Sequence, residues 1–246
     1  MSSLSAADFD FELPDELIAQ TPAAQRDESR LLLVGQDDVA HHTFAALPDL
    51  IERYVGERPL LIVNDSKVLL ARLYTRKLAP DGTLGGRVEL LLLEPLSAQT
   101  ADATRWRVMY RTSKPLRPQA TLLVLNRQGE PIPGQTLTVS SVEGEGRAVI
   151  DFPTDVPLGT LLDQAGELPL PPYIVKQRQQ SGLPAQPDDQ ERYQTVYAKV
   201  LGSVAAPTAG LHFTDALLAQ LQRRGIERHS VTLHVGPGTF LPLRDD

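Results

Sequence analysis

The chain has 246 residues, with 24 Lys+Arg, 31 Asp+Glu, no cysteine and a formal net charge of −7 at pH 7. That length buries a real core in one domain or two. The missing cysteines exclude disulfides, thiolate metal sites and a cysteine nucleophile, in keeping with a reducing compartment.

No stretch approaches the ~20 apolar residues of a membrane-spanning helix. Met1 to Asp10 lacks the basic-then-apolar pattern of a secretory signal, so the expectation is a soluble, cytoplasmic protein. The charge is uneven. Residues 51 to 130 hold 13 Lys+Arg against 8 Asp+Glu, and the remainder holds 11 against 23. A basic middle on an acidic chain steers phosphate toward one face. Ordinary solvated strand surface accounts for the same composition.

In chain order, Pro14 followed by acids predicts a helix start within Phe11 to Gln20. Leu31 to Val34 reads as a short buried strand. His41-His42 falls on a strand, where adjacent side chains point to opposite faces, so surface strand is the better reading than a metal site. Leu47 to Tyr54 reads as a short helix closed by Gly56. Leu60 to Val63 is an apolar run of the kind covered on both faces. It leads into Asn64-Asp65-Ser66-Lys67, which serves equally as an Asx-type turn or as a ligand site at a strand end. Val68 to Leu73 reads as another strand. Its Arg72 needs a partner or a ligand, because burying a guanidinium unpaired is costly.

From about Leu73 to Phe152 the texture changes. Residues 86–93, 105–111, 120–125, 136–142 and 147–152 read as strands separated by glycine and proline turns. Trp106, Val108 and Tyr110 alternate with Arg105, Arg107 and Arg111, giving one apolar and one basic face. Several short strands at close spacing predict a small antiparallel β-barrel. Helical patterns on both sides make it an insertion, with residues 1–72 and 155–246 forming the main α/β domain and 73–154 the inserted one.

Beyond it, Leu158 to Ala165 reads as a helix stopped by Gly166, and Leu168 to Ile174 as a stiff proline-rich segment. Gln177 to Gln190 reads as a polar loop. Thr214 has the place of an N-cap, with Asp215 in the first turn and Gly225 after the end. Val231 to Val235 reads as the last strand.

Two loops are the candidates for the chemistry, with a tightly packed core turn as the alternative reading. Gly202 to Thr214 is built of small residues, a proline, two glycines and His212, and His234 to Phe240 repeats the glycine, threonine and histidine theme. Small side chains admit close approach of backbone to ligand, and a histidine titrates near neutrality. A hydrogen-bonded core histidine accounts for either position as well.

These segments resemble the S-adenosylmethionine:tRNA ribosyltransferase-isomerase family of queuosine biosynthesis, from Phe11 to the end. The resemblance is carried by Leu13-Pro14, Arg26-Asp27 with Ser29-Arg30-Leu31-Leu32, Asn64-Asp65-Ser66 with Ala71-Arg72-Leu73, and Gly85-Gly86 with Val88-Glu89. It continues through Pro169 to Ile174 and Tyr193-Gln194-Thr195-Val196-Tyr197. Ala205 to Phe213 and Thr232 to Gly236 with Gly238-Thr239-Phe240 are its most specific parts.

The resemblance implies a barrel-like α/β main domain interrupted by a β-barrel. It implies transfer and isomerisation of the ribosyl part of S-adenosylmethionine onto 7-aminomethyl-7-deazaguanine at the wobble position of tRNA. The products are epoxyqueuosine-tRNA, adenine and methionine. S-adenosylmethionine is then a consumed co-substrate, with no permanent cofactor and no metal, and the protein a monomer.

His212 and His234 are the candidate proton carriers. Asn64, Asp65, Arg72, Gln194, Pro207, Thr208, Gly210, Gly236, Gly238 and Thr239 are candidates to hold the substrate, and Tyr173, Tyr193 or Phe213 to stack on a base. Arg105, Arg107 and Arg111 are candidates for tRNA phosphates. Pro237 stands where the family has a small residue, removing one amide donor. The resemblance also implies a continuation beyond Asp246, so an incomplete main domain with exposed sheet edge is expected. A non-catalytic tRNA-binding remnant is the alternative reading. A methyltransferase is disfavoured by the lack of a Gly-x-Gly-x-x-Gly turn after an early strand.

Overall fold

The computed structural model describes residues 5–19, 21–56, 58–96, 104–171, 174–175, 178, 180, 182, 189–236 and 238. β1 (Arg30–Val34) and β2 (Val39–Thr43) form an antiparallel hairpin, followed by α1 (Leu47–Tyr54). β3 (Leu60–Asn64) and β4 (Ser66–Val68) each pair in parallel with a strand from far along the chain. The partner of β3 is β12 (Glu227–Val231), and that of β4 is β11 (Val200–Ser203).

The chain then enters a closed barrel. Its strands are β5 (Arg72–Leu78), β6 (Leu84–Pro95), β7 (Arg105–Thr112), β8 (Thr121–Leu125), β9 (Pro131–Gly144) and β10 (Arg147–Asp151). They close in the order β10-β7-β6-β5-β8-β9, and every ladder is antiparallel. The two-residue period of the strands explains the core. Leu73, Val88, Leu90, Leu92, Trp106, Val108, Leu122, Val124, Leu137, Val139, Ala148 and Ile150 all point inward and are fully buried. Closure leaves no unpaired edge. The fold is thus an α/β arrangement carrying an antiparallel β-barrel.

After the barrel come α2 (Leu158–Ala165), α3 (Asp189–Arg192) and, beyond β11, α4 (Asp215–Arg223). Arg72 exchanges backbone hydrogen bonds of 3.1 and 2.8 Å with Glu167, tying the start of β5 to the segment after α2. Arg127 donates to the carbonyls of Gly166 (3.0 Å) and Asp163 (2.8 Å) at the end of α2. A Cβ at Gly166 would stand 2.5 Å from the carbonyl oxygens of both Leu162 and Leu70. Only glycine lets the helix end against the strand entry there. A second core gathers Phe44, Phe213, Leu217, Leu221 and Ile226, with Leu31, Ile51 and Leu61 packed against it.

Several expectations change. Leu31 to Val34 is a strand, but Leu32 and Val34 are exposed, because among the described residues β1 pairs with β2 alone and Leu31 is its one residue packed on the second core. Leu60 and Ile62 are likewise exposed at 56% and 52%, since α4 covers one face of β3 and nothing described covers the other. Val68 to Leu73 is not one strand. The ladder partner switches from β11 to the barrel, and the chain breaks across Leu69 to Ala71. The last strand lies at Glu227–Val231 rather than Val231 to Val235, because side chains, described below, hold the later residues. The predicted helix near Pro14 is a single 3-10 turn, Asp15–Leu17. Helices α1 and α2 match their expected bounds, and Thr214 caps α4 by accepting from the Leu217 amide at 3.1 Å.

Candidate active site

The two glycine, threonine and histidine loops are joined by Ser203, at the end of β11. Its hydroxyl accepts from the Val235 amide (2.8 Å) and donates to the Ala205 carbonyl (2.8 Å), and the Val204 amide donates to the Val235 carbonyl (2.9 Å). Ser203 is fully buried. Asn64 holds the second loop one step earlier. Its Oδ1 accepts from the amides of Ser66 and Leu233, both at 3.1 Å, and its Nδ2 donates to the Leu233 carbonyl at 2.8 Å. Thr232 donates to Asp65 Oδ1 at 2.7 Å. Asn64 thus makes the Asx-type turn and, with Asp65, anchors the chain leading to His234, and neither residue lines the cleft described below.

Gly202 sets the place of that histidine. Its φ is +148°, and a Cβ there would lie 2.7 Å from Cε1, 2.9 Å from Nε2 and 3.0 Å from Nδ1 of His234. The imidazole lies flat on the glycine backbone. Any side chain at 202 displaces it, and the conformation itself favours glycine.

His234, Val235, Gly236, Gly202 and Val204 form one wall of a cleft of about 810 Å³. The facing wall is the outside of the barrel, with Glu94 and Pro95 from β6, Arg107 and Met109 from β7, Glu143 to Glu145 at the β9–β10 turn, and Arg147. Arg107 pairs with Glu94 and, at 2.9 Å, with Glu143. Arg105 pairs with Asp151 at 2.6 Å. Neighbouring strands thus match with carboxylates the positive charge expected of these two arginines. Arg111 is exposed and stands opposite Glu89 across the ladder.

His212 lies elsewhere. It ends the 3-10 turn Thr208–His212, its ring 5.3 Å from that of Phe44, and it is not among the residues lining the cleft. Burial lowers its pKa below the ordinary imidazole value, and a hydrogen bond with the Arg26 backbone opposes this. Arg26 organises the turn by donating to the carbonyls of Leu211 (2.9 Å), Arg192 (3.3 Å) and Glu191 (2.7 Å). Gly210 is buried where a Cβ would strike Tyr197 and Thr195, and Phe213 packs against Phe44 and Tyr197.

The other predicted residues divide. Gln194 clamps the Val68 backbone, accepting from its amide and donating to its carbonyl, both at 2.9 Å. Tyr193 is buried with Val68, Leu168 and Ala206. Arg72 Nε lies 3.2 Å from Glu89, an ion pair without hydrogen-bond alignment, and its Nη2 donates to the Leu170 carbonyl at 3.3 Å. Pro207 is half-buried, while Thr208, Gly236 and Gly238 are exposed. Tyr173, Pro237, Thr239 and most of the polar loop at 177–190 lie outside the described residues. A second cavity, of about 730 Å³, is lined by Arg26, Lys67, Gln194, Thr195 and Asp215 among others. Sequence reasoning missed Glu94, Met109, Glu143 and Arg147. Each is an outward position on a barrel strand, and no local pattern marks it.

Among the described residues no group of three or more His, Asp or Glu is placed to hold a metal ion. No described helix is long and apolar enough to cross a membrane.

A family model described as "Queuosine biosynthesis protein" matches residues 6–246. The chain belongs to this family. It is 48% identical over 242 residues to the S-adenosylmethionine:tRNA ribosyltransferase-isomerase of Anaeromyxobacter sp. (strain Fw109-5), covering 98% of this chain and 63% of that protein. The protein of the same name from Azoarcus sp. (strain BH72) is 44% identical over 246 residues, of which this chain covers 62%. The chain therefore spans somewhat under two thirds of the length of these curated relatives. The crystal structure of S-adenosylmethionine tRNA ribosyltransferase from Thermotoga maritima is 24% identical, covering 93% of this chain and 58% of that one with a TM-score of 0.31, too low for an architectural comparison.

Proposed function

We propose that this chain carries the reacting histidine of a tRNA ribosyltransferase-isomerase. The reaction moves the ribosyl part of S-adenosylmethionine onto the aminomethyl group of 7-aminomethyl-7-deazaguanine in tRNA and isomerises it, with loss of adenine and methionine. Family membership supports the reading, and the observation that carries it is the cleft. There His234, fixed on the Gly202 backbone, faces a charged barrel wall across a volume suited to a nucleoside-sized ligand.

S-adenosylmethionine brings a sulfonium that acidifies the neighbouring ribose carbon. His234 is the group in this cleft suited to take that proton or return one to departing adenine. Gly236 and the backbone around it offer close approach to ribose hydroxyls. Arg107, its charge matched by Glu94 and Glu143, is a fixed hydrogen-bonding part of the facing wall. His212 is given a supporting part: with Arg26 and Phe44 it keeps the Thr208–His212 turn in shape. Residues 73–154 are taken as the inserted domain that supplies the barrel wall.

The test is adenine release from S-adenosylmethionine, with and without tRNA bearing the aminomethyl-deazaguanine base. Adenine formed only with that tRNA, and lost in His234→Ala, is the expected result. A folded chain that binds the tRNA yet releases no adenine would leave the non-catalytic binding reading in its place. Full turnover by His234→Ala would remove His234 from the chemistry.

A further inference from the structure

The positive charge of the barrel falls into two groups with different surroundings. On the cleft side Arg105 and Arg107 are matched by carboxylates, and Arg147 in the cleft wall has no ion pair among the described residues. The far end differs. Residues 76–87 and 111–117 carry Arg76, Lys77, Arg87, Arg111, Lys114 and Arg117 against Asp81 as their one carboxylate, and Asp81 is engaged by the Thr83 amide at 2.9 Å.

Among the described residues, Arg76, Lys77, Arg87, Lys114 and Arg117 form no ion pair. Apart from Arg87, whose charge acts on the Glu167 carboxylate, the contacts they make do not cancel charge. Arg76 donates to the Gly85 carbonyl (2.9 Å), Lys77 to those of Lys114 (2.6 Å) and Pro115 (3.2 Å), and Arg87 sits 3.9 Å above the Tyr74 ring. The ladder register sets Arg76 directly opposite Arg87, an arrangement that costs stability. Burial, then Lys114 and Arg117, hold the Lys77 ammonium below its usual range. An anion at this end would relieve the repulsion.

The position narrows the kind of anion. Arg87 and, in the cleft wall, Glu94 are seven positions apart on β6, about 23 Å at the rise of a strand. On the outward face of β7, Arg107, Met109 and Arg111 follow one another at roughly 6.6 Å from the cleft toward Lys114. Arg76, Arg87, Lys114 and Arg117 are exposed and come from β5, β6 and the segment after β7, so their charges are spread over several elements. Spaced cations on a rigid wall suit a polymer of phosphates.

We propose that the barrel tip formed by Arg76, Lys77, Arg87, Lys114 and Arg117 grips the backbone phosphates of the RNA whose nucleotide enters the cleft. The barrel then sets the distance between grip and cleft. This rests on the tRNA-modifying reading above.

The test uses the full chain and a fluorescein-labelled, unmodified tRNA transcript, with binding followed by anisotropy between 50 and 200 mM salt. The triple variant R76Q/K114Q/R117Q should bind more weakly, with the slope of log affinity against log salt shallower by about 2 to 3. Arg53→Gln, which removes an exposed cation from α1, should leave that slope unchanged. The triple variant should keep its circular dichroism spectrum and a Tm at low salt at or above wild type, because repulsion has been removed.

Wild-type affinity and slope in the triple variant, with tRNA binding intact, would overturn the grip while leaving the tRNA reading in place. Loss of affinity for phosphatidylserine vesicles but not for tRNA would overturn it too, assigning the tip to a membrane surface. A chain that neither binds tRNA at 50 mM salt nor releases adenine would bring down both.

Discussion

The barrel and the parallel pairs bury apolar residues by different means. In the barrel each strand has two antiparallel neighbours, and the inward side chains, Trp106, Leu90 and Ile150 among them, have almost no contact with water. In β3–β12 and β4–β11 each strand has one parallel neighbour among the described residues, and Leu60, Ile62, Val200, Leu201 and Val231 remain exposed. The pairs are held instead by polar stitches between distant residues, namely Asn64 to Leu233, Thr232 to Asp65, Gln194 to Val68 and Ser203 to Val235. The barrel is packed on one continuous core, while the parallel pairs combine packing on one face with these hydrogen bonds. The cleft lies where they meet, so its histidine depends on the stitches and its opposite wall on the barrel.

The widest gap between the regions should show in packing. Trp106→Ala empties the barrel core and is expected to cost about 3–5 kcal/mol. Ile62→Ala, on the open face of β3, should stay within about 0.5 kcal/mol of wild type. Denaturant titrations of both would break the comparison if the two costs proved alike. A stitch should matter less than the core and more than the open face. Gln194→Ala strands the amide and carbonyl of Val68 and is expected to cost about 1–3 kcal/mol. Hydrogen exchange should then quicken at Leu69 and Val204 while the barrel amides stay protected. Exchange that quickened equally in β6 would mean the regions unfold as one.

The smallest effect concerns pH. Burial holds His212 below its unfolded value of about 6.5, so the unfolded chain binds the proton at pH values where the folded chain does not. Stability should therefore fall as pH drops through that value and level off below the folded pKa. His212→Gln should flatten this part of the profile. Thermal melts at pH 7.5 and 5.5 test it, and equal losses in wild type and variant would count against the assignment.

How much could be read locally follows the same division. The strands of the barrel, the helices at Leu47–Tyr54 and Leu158–Ala165 and the Thr214 cap were legible, because two-residue alternation, helix-stopping glycines and capping side chains act over a few residues. The burial of Leu32, Leu60 and Ile62 was not, since a run of apolar residues does not say which faces have neighbours. The loops around Gly202 and His234 were each conspicuous as small-residue segments bearing polar groups.

What the sequence by itself determined is an antiparallel β-barrel within an α/β chain and membership of the queuosine biosynthesis family. Tertiary structure alone decided that His234 rests on Gly202 while His212 packs against Phe44. It also decided that Asn64 and Gln194 hold backbone, and that carboxylates from β6, β9 and β10 match Arg105 and Arg107 while the barrel tip keeps its charge. The reason is physical. Propensity and periodicity act between near neighbours, whereas charge pairing and close packing depend on which distant strands the closing of a barrel sets side by side.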